Sequence, residues 1–240
     1  MRFLTLLSLS ILLYGCDKPA TFDEAETIYQ SGALADAITA YVPLAEAGDY
    51  RAQLRLGSIL LEEGEHQNLE KSASYFMKAA DQGDVDALWH VGHRYWTGRG
   101  LPENIALAEK YLLKAAEAGS PRAMDNLGLI YYLRDGAESK LVTALAAKGW
   151  YRRAFQYGDA SAARRIQLMH FEKQTLEDPV EAAAWKQAYQ LALDEIPDSD
   201  PYQFLDQTQR IEARTRGYKY FSEYGTKKKP DTFLSLNKGP

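Results

Sequence analysis

The chain has 240 residues, with 28 Lys or Arg against 33 Asp or Glu for a net charge of −5, and with 46% apolar and 25% charged types. That mild acidity argues against a nucleic-acid binder, and the ordinary globular composition and length exclude wholesale disorder. The single cysteine excludes an intramolecular disulfide and any cysteine-based zinc or iron–sulfur centre.

Residues 1–15 read as a secretion signal: one positive charge at Arg2, then an apolar run from Phe3 to Tyr14, then Gly15. The run is too short for a helix across hydrocarbon, which takes about 20 residues. The lone Cys16 ends it in Leu13-Tyr14-Gly15-Cys16, which resembles the bacterial lipobox, although Tyr14 is bulkier than that pattern favours. The resemblance implies that Cys16 becomes the first mature residue and carries acyl chains, each buried methylene adding about 0.8 kcal/mol of membrane affinity. Asp17 implies retention at the inner membrane, by a rule that differs between bacteria. Residues 16–21 form a lipidated N-terminus and short linker.

From residue 22 the chain repeats. Ala52, Ala87, Ala123 and Ala162 are spaced 35, 36 and 39 residues apart, and Gly48, Gly83, Gly119 and Gly158 follow the same three intervals. Two independent markers at one period signal a stacked repeat rather than a closed globule. Ala52 and Leu56, Ala87 and Val91, and Ala123 and Leu127 then lie on one helical face, with Tyr95 and Tyr131 a turn further on. The second half of each unit brings an aromatic residue followed by small ones, as in Tyr75 with Ala79-Ala80, Tyr111 with Ala115-Ala116 and Trp150 with Ala154. Gly57, Gly92 and Gly128 recur at one phase inside the first helix, where glycine costs about 1 kcal/mol against alanine. Their recurrence predicts a close approach between helix backbones. Gly98-Arg-Gly100-Leu-Pro102-Glu-Asn104 breaks the unit into a helical hairpin.

These residues resemble the Sel-one-like repeats, relatives of the tetratricopeptide repeats. The resemblance is closest in Ala87…Val91-Gly92…Tyr95…Gly98-Arg-Gly100-Leu-Pro102…Ala108…Tyr111…Lys114-Ala115-Ala116…Gly119. Residues 49–83 match with a contracted turn at Glu62-Glu-Gly64-Glu-His66, and residues 120–158 with a turn three residues longer that lacks the proline. A first unit around Ala25, Tyr29, Gly32 and Ala37 is closer to a tetratricopeptide hairpin, and a degraded fifth runs through Ala162, Ile166 and Glu181-Ala-Ala-Ala-Trp185. The implied fold is all-α, a right-handed α-solenoid of stacked helical hairpins, with about five units over residues 22–194. Residues 195–224 read as a capping helix through Phe204, Ile211, Tyr218 and Phe221. Residues 225–240, with Lys227, Lys228 and Lys229, read as a basic flexible tail.

The candidate binding residues lie in the third unit, where Trp89, His90, His93, Arg94 and Trp96 depart from the repeat pattern toward polar and aromatic types. Trp and Arg often dominate interface energetics, which makes these a candidate contact patch. The alternative reading packs both tryptophans between hairpins as core. His90 and His93 alone do not complete a metal shell, which normally takes three or four protein ligands. Glu62, Glu63 and Glu65 concentrate the acidity of residues 17–100, where 14 acids face 7 bases, and give a second candidate surface that would steer a basic partner. No Gly-x-Ser-x-Gly elbow and no phosphate-binding loop is present. The reading is therefore a non-enzymatic protein binder with no cofactor and no metal, anchored through Cys16 and facing the periplasm of a bacterial envelope. Family analogy implies an immunity protein against a secreted toxin, such as a type VI phospholipase effector, or else an envelope adaptor for signalling, cell-wall or secretion machinery. Members linked to β-lactam binding or hydrolysis staple each hairpin with a cysteine pair that this chain lacks.

Overall fold

The computed structural model describes residues 20–62, 64–134, 140–171, 178–193 and 205–224. Among them every regular element is a helix. Five successive pairs form antiparallel hairpins: α1 (Phe22–Gln30) with α2 (Leu34–Glu46), α3 (Tyr50–Ile59) with α4 (Leu69–Asp81), α5 (Val85–Thr97) with α6 (Ile105–Glu117), α7 (Pro121–Leu133) with α8 (Lys140–Gln156), and α9 (Ala160–Phe171) with α10 (Pro179–Leu193). A last helix, α11 (Gln207–Tyr224), lies on α10 and touches α8. Each helix packs chiefly on its neighbours in sequence, the arrangement of an all-α solenoid. Cys16, the signal segment, Glu63 and the basic tail lie outside the described residues.

One short turn joins each unit to the next. Gly48, Gly83, Gly119 and Gly158 have φ of 96°, 89°, 97° and 93°, the left-handed conformation that closes a helix. The following residue donates its amide five residues back, as in Asp49 to Leu44, Asp84 to Ala79, Ser120 to Ala115 and Asp159 to Ala154. That same residue opens the next helix: the side chains of Asp49, Asp84 and Ser120 accept the amides of Ala52, Ala87 and Ala123. A pair of residues thus ends one helix and begins another.

The marker alanines and their partners four residues on, Ala52 and Leu56, Ala87 and Val91, Ala123 and Leu127, Ala162 and Ile166, are all fully buried. The helix-interior glycines sit where the hairpin arms meet. A methyl group at Gly57 would stand 2.9 Å from the Phe76 ring, at Gly92 2.7 Å from Leu112, and at Gly128 2.5 Å from the Tyr151 ring. The approach expected between backbones is present only at Gly92, where the Leu112 amide nitrogen would lie 3.1 Å from the methyl; at Gly57 and Gly128 the missing side chain makes room for an aromatic ring instead. One apolar core runs from Phe76 on α4 to Trp185 and Ala188 on α10, and a second cluster holds α1, α2 and α3 together around Tyr41. There Glu26 accepts the Tyr41 hydroxyl at 2.7 Å and grips Arg55 of the next unit with both oxygens, at 2.7 and 3.0 Å.

Of the apolar face expected of the last helix, Phe221 packs and Ile211 and Tyr218 do not. Ile211 is 63% and Tyr218 55% exposed, and Phe204 lies outside the described residues. Ala213 and Gly217 are buried instead, and Tyr220, Phe221 and Tyr224 pack against the core. The reason is backbone proximity: a methyl at Gly217 would lie 2.9 Å from the Ala184 carbonyl oxygen, so α11 seats its small residues on α10.

Candidate functional site

The first helices of successive hairpins lie in one row, linked by Arg55 to Glu26, Trp89 to Asn126 and Arg165 to Asp125. α5 touches α7 directly, whereas no two consecutive second helices meet to the same extent. The side chains two, three and six residues after each marker alanine line this row, and in the third unit they are Trp89, His90 and His93. All three, with Trp96, are half-buried.

The strip is held in place by neighbours from two helices, α4 and α7, and by contacts within α5. The His90 ring stacks on Phe76 of α4 with centroids 4.0 Å apart and planes 17° from parallel, and touches the Trp89 ring at 4.5 Å. Trp89 donates its indole N–H to Asn126 Oδ1 of α7 at 3.0 Å, and the Arg122 guanidinium lies over its ring at 5.1 Å. His93 bridges the two tryptophans, 5.7 Å from Trp89 and edge-on to Trp96 at 5.8 Å. Both tryptophans also pack against the core, as the core reading expects, and part of each side chain stays exposed.

Arg94 is not a surface contact. It is 3% exposed and occupies the place where Ile59, Ile130 and Met169, all buried, stand in the other units. Its guanidinium lies 4.9 Å over the Phe76 ring and donates to Ser72 Oγ at 3.3 Å and to the Arg99 carbonyl at 3.4 Å, while Nε has no partner. Ser72 in turn donates to the Gly57 carbonyl at 2.5 Å. Burial, with a smaller contribution from Arg99, lowers the Arg94 guanidinium to about 10.

The electrostatic setting follows from that burial. His90 is lowered to about 3, first by burial and then by Arg94, Arg122 and His93, so it is neutral at physiological pH. His93 is also lowered, by burial and then by Arg94 and Arg99. Asp86, one turn before His90, is raised by burial and by Asp84, and Arg122 opposes that rise. Glu62 and Glu65 are exposed in the turn between α3 and α4 and have no hydrogen bond or ion pair to the strip, so the two candidate surfaces are not one site. Among the described residues no three His, Cys, Asp or Glu side chains stand together to hold a metal ion.

Sequence reading did not single out Arg122, Asn126 or Asp86, yet the repeat register contains them. Arg122 and Asp86 both precede a marker alanine, and Asn126 holds the position of His90 one unit later. A second polar cluster was not signalled at all. Glu181, 8% exposed, receives hydrogen bonds from Lys148 and Trp185 at 3.1 Å each, from Arg216 at 3.1 Å and from the Tyr220 hydroxyl at 2.8 Å. Burial pushes its carboxyl up, but Lys148, Tyr220 and Trp185 outweigh that and hold it at about 2. Lys148 Nζ also lies 2.9 Å from His170 Nε2. Trp185 stacks on Tyr220 with centroids 4.5 Å apart, so the cluster ties α8, α9, α10 and α11 into one cap.

The Sel1 repeat family matches residues 51–84, 85–120 and 121–159. Among solved structures, a Sel1 repeat protein from Oxalobacter formigenes superposes with a TM-score of 0.56 at 24% identity, covering 81% of this chain and 80% of that one. The protective antigen c5321 of uropathogenic Escherichia coli, which has an SLR fold, matches at 23% identity and a TM-score of 0.41, with 79% of this chain covered and 49% of the antigen. The immunity protein Pa5087 from Pseudomonas aeruginosa matches at 16% identity and a TM-score of 0.45, covering 93% of this chain and 91% of that one. No curated protein sequence matches the chain. Residues 51–159 are three Sel1 repeats in tandem, set in a chain whose described residues fold as an all-α solenoid.

Proposed function

We propose that the chain acts by binding another protein along the strip of its third unit, without catalysing a reaction. The observation that carries this reading is the pre-set strip itself. Trp89, His90, His93 and Trp96 are half-exposed on one helix, and contacts from α4 and α7 fix the rings of Trp89 and His90 before any partner arrives. Aromatic side chains already ordered in this way lose little entropy on binding and are common energetic centres of interfaces. The envelope address read from residues 1–17 puts the strip at a membrane surface, tethered through Cys16 and facing the periplasm. A tethered binder there suits neutralisation of a membrane-attacking toxin such as a phospholipase effector; the alternative is a general envelope adaptor.

The test is capture from envelope extract by the chain from Asp17 onward, with identification of what survives a salt wash, beside the same capture by Trp89→Ala. One secreted toxin, retained by the parent and lost from the variant, is the expected result. A set of resident envelope proteins in its place would move the assignment to the adaptor. Retention unchanged by Trp89→Ala, with the helical spectrum intact, would remove the strip from the reading. Labelled palmitate incorporated by the full chain and not by Cys16→Ser checks the anchor separately.

A further inference from the structure

Within that reading of the strip as a protein-binding face, we infer that it receives an acidic segment of its partner, whose carboxylates settle against Arg99 and Arg122 above the buried guanidinium of Arg94. Two arginines at the strip go without carboxylates although the segment that holds them is rich in acids. In residues 17–100 the acids number 14 and the bases 7, so a cation there has a wide choice of carboxylates. Among the described residues of that segment only Arg51 and Arg55 form ion pairs; Arg94 and Arg99, like the lysines Lys71 and Lys78, have none, and Arg94 is the buried one, its hydrogen-bond partners a hydroxyl and a backbone carbonyl.

A guanidinium that is 97% out of water with no counter-ion is costly, because the desolvation of the charge is not repaid by an opposite one nearby. Arg122 adds a third positive group on the facing helix α7, laid over the Trp89 ring. The carboxylate opposing it is Asp86, which Asp84 joins at the start of α5. Arg94, Arg99 and Arg122 thus act on the two histidines, while the carboxylates of Asp84 and Asp86 stand at the start of α5 on the side of Arg122. The cations acting on His90 are Arg94, Arg122 and His93, and those acting on His93 are Arg94 and Arg99. A carboxylate brought to this place supplies the counter-charge that the fold omits, and the tryptophans on either side of His93 supply apolar walls for the rest of the segment.

The probes are two synthetic peptides of equal length, one alternating Glu with Leu and the other alternating Lys with Leu, titrated by fluorescence anisotropy into the full chain held in mild detergent. The expected result is binding of the Glu peptide over the Lys peptide. Affinity should fall about tenfold in Arg99→Glu and again in Arg122→Glu. Arg99 is exposed, so that variant reports on charge with the core intact. Preference for the Lys peptide, equal binding of the Glu peptide by parent and variants, or retention of neither peptide would each overturn the assignment. A partner captured through Trp89 in the extract experiment, together with any of those outcomes, would leave the binding reading standing and remove only its acidic partner.

Discussion

Alanine at Gly92 is the sharpest test of how the hairpins are held. A methyl built there lies 2.7 Å from Leu112 Cγ, 3.0 Å from Cδ2 and 3.1 Å from the Leu112 amide nitrogen. Carbon atoms in good contact sit about 3.5–4.0 Å apart, so close to 1 Å must be recovered, and the backbone nitrogen cannot rotate out of the way. Overpacking of this kind costs about 1–3 kcal/mol, and the backbone clash puts Gly92 toward the upper end. Against it stands the helix propensity of alanine, worth about 1 kcal/mol over glycine. Gly92→Ala is therefore expected to destabilise by about 1–2 kcal/mol. Gly149 on α8 supplies the control, because a methyl there meets nothing within 4 Å and keeps the propensity gain. The same substitution at the two sites should move the melting temperature in opposite directions, by about 2–4 °C per kcal/mol for a chain of this size. Thermal and urea unfolding followed by far-ultraviolet circular dichroism measure both. Gly92→Ala as stable as the parent, or Gly149→Ala less stable, would refute the close-approach argument.

Three further expectations concern charge. His90 is lowered to about 3 from an ordinary 6.5, so below 6.5 the unfolded chain binds a proton that the folded one rejects. Stability then falls by about 1.4 kcal/mol per pH unit as pH drops from 6.5 toward 3, and His90→Phe should flatten that part of the profile in urea titrations. Glu181 is lowered to about 2 from 4.5, so its contribution is complete above 4.5 and is lost as pH falls toward 2. Glu181→Gln should cost about 3 kcal/mol at neutral pH, with the difference from the parent closing in acid, and hydrogen exchange should place the loosening in α10 and α11. Arg94→Met removes a buried charge while keeping the bulk, and unfolding is expected to show a gain of about 1–2 kcal/mol. A marked loss would mean that the contacts to Ser72 and the Arg99 carbonyl outweigh the desolvation.

Much of the architecture was legible because it is periodic. A glycine that recurs at one phase in three units reports a shared geometric need, and Gly57, Gly92 and Gly128 each meet a bulky side chain of the second helix. Arg94 was misjudged because its residue type outweighed its register: arginine is ordinarily a surface residue, but the positions matching it hold Ile59, Ile130 and Met169. The last helix was misjudged for a related reason, since its small residues, not its large ones, allow the close seat on α10. The Glu181 cluster offered no local signal. Lys148, Glu181, Arg216 and Tyr220 come from three helices scattered over the second half of the chain, and only folding brings them together.

The joints between units have a consequence for how such a chain tolerates change in length. Glycine and marker alanine are four residues apart in every unit, at Gly48 and Ala52, Gly83 and Ala87, Gly119 and Ala123, Gly158 and Ala162, although the units themselves differ by up to four residues. An added or lost residue between glycine and alanine would rotate every later hairpin, because the helix ending and the helix beginning share the same two residues. Residues gained within a hairpin do no such thing, since both arms return to the same joint. Grafted loops, affinity tags or reporter peptides are thus best carried at Glu62 to Gln67, where the ladder continues undisturbed beyond the graft.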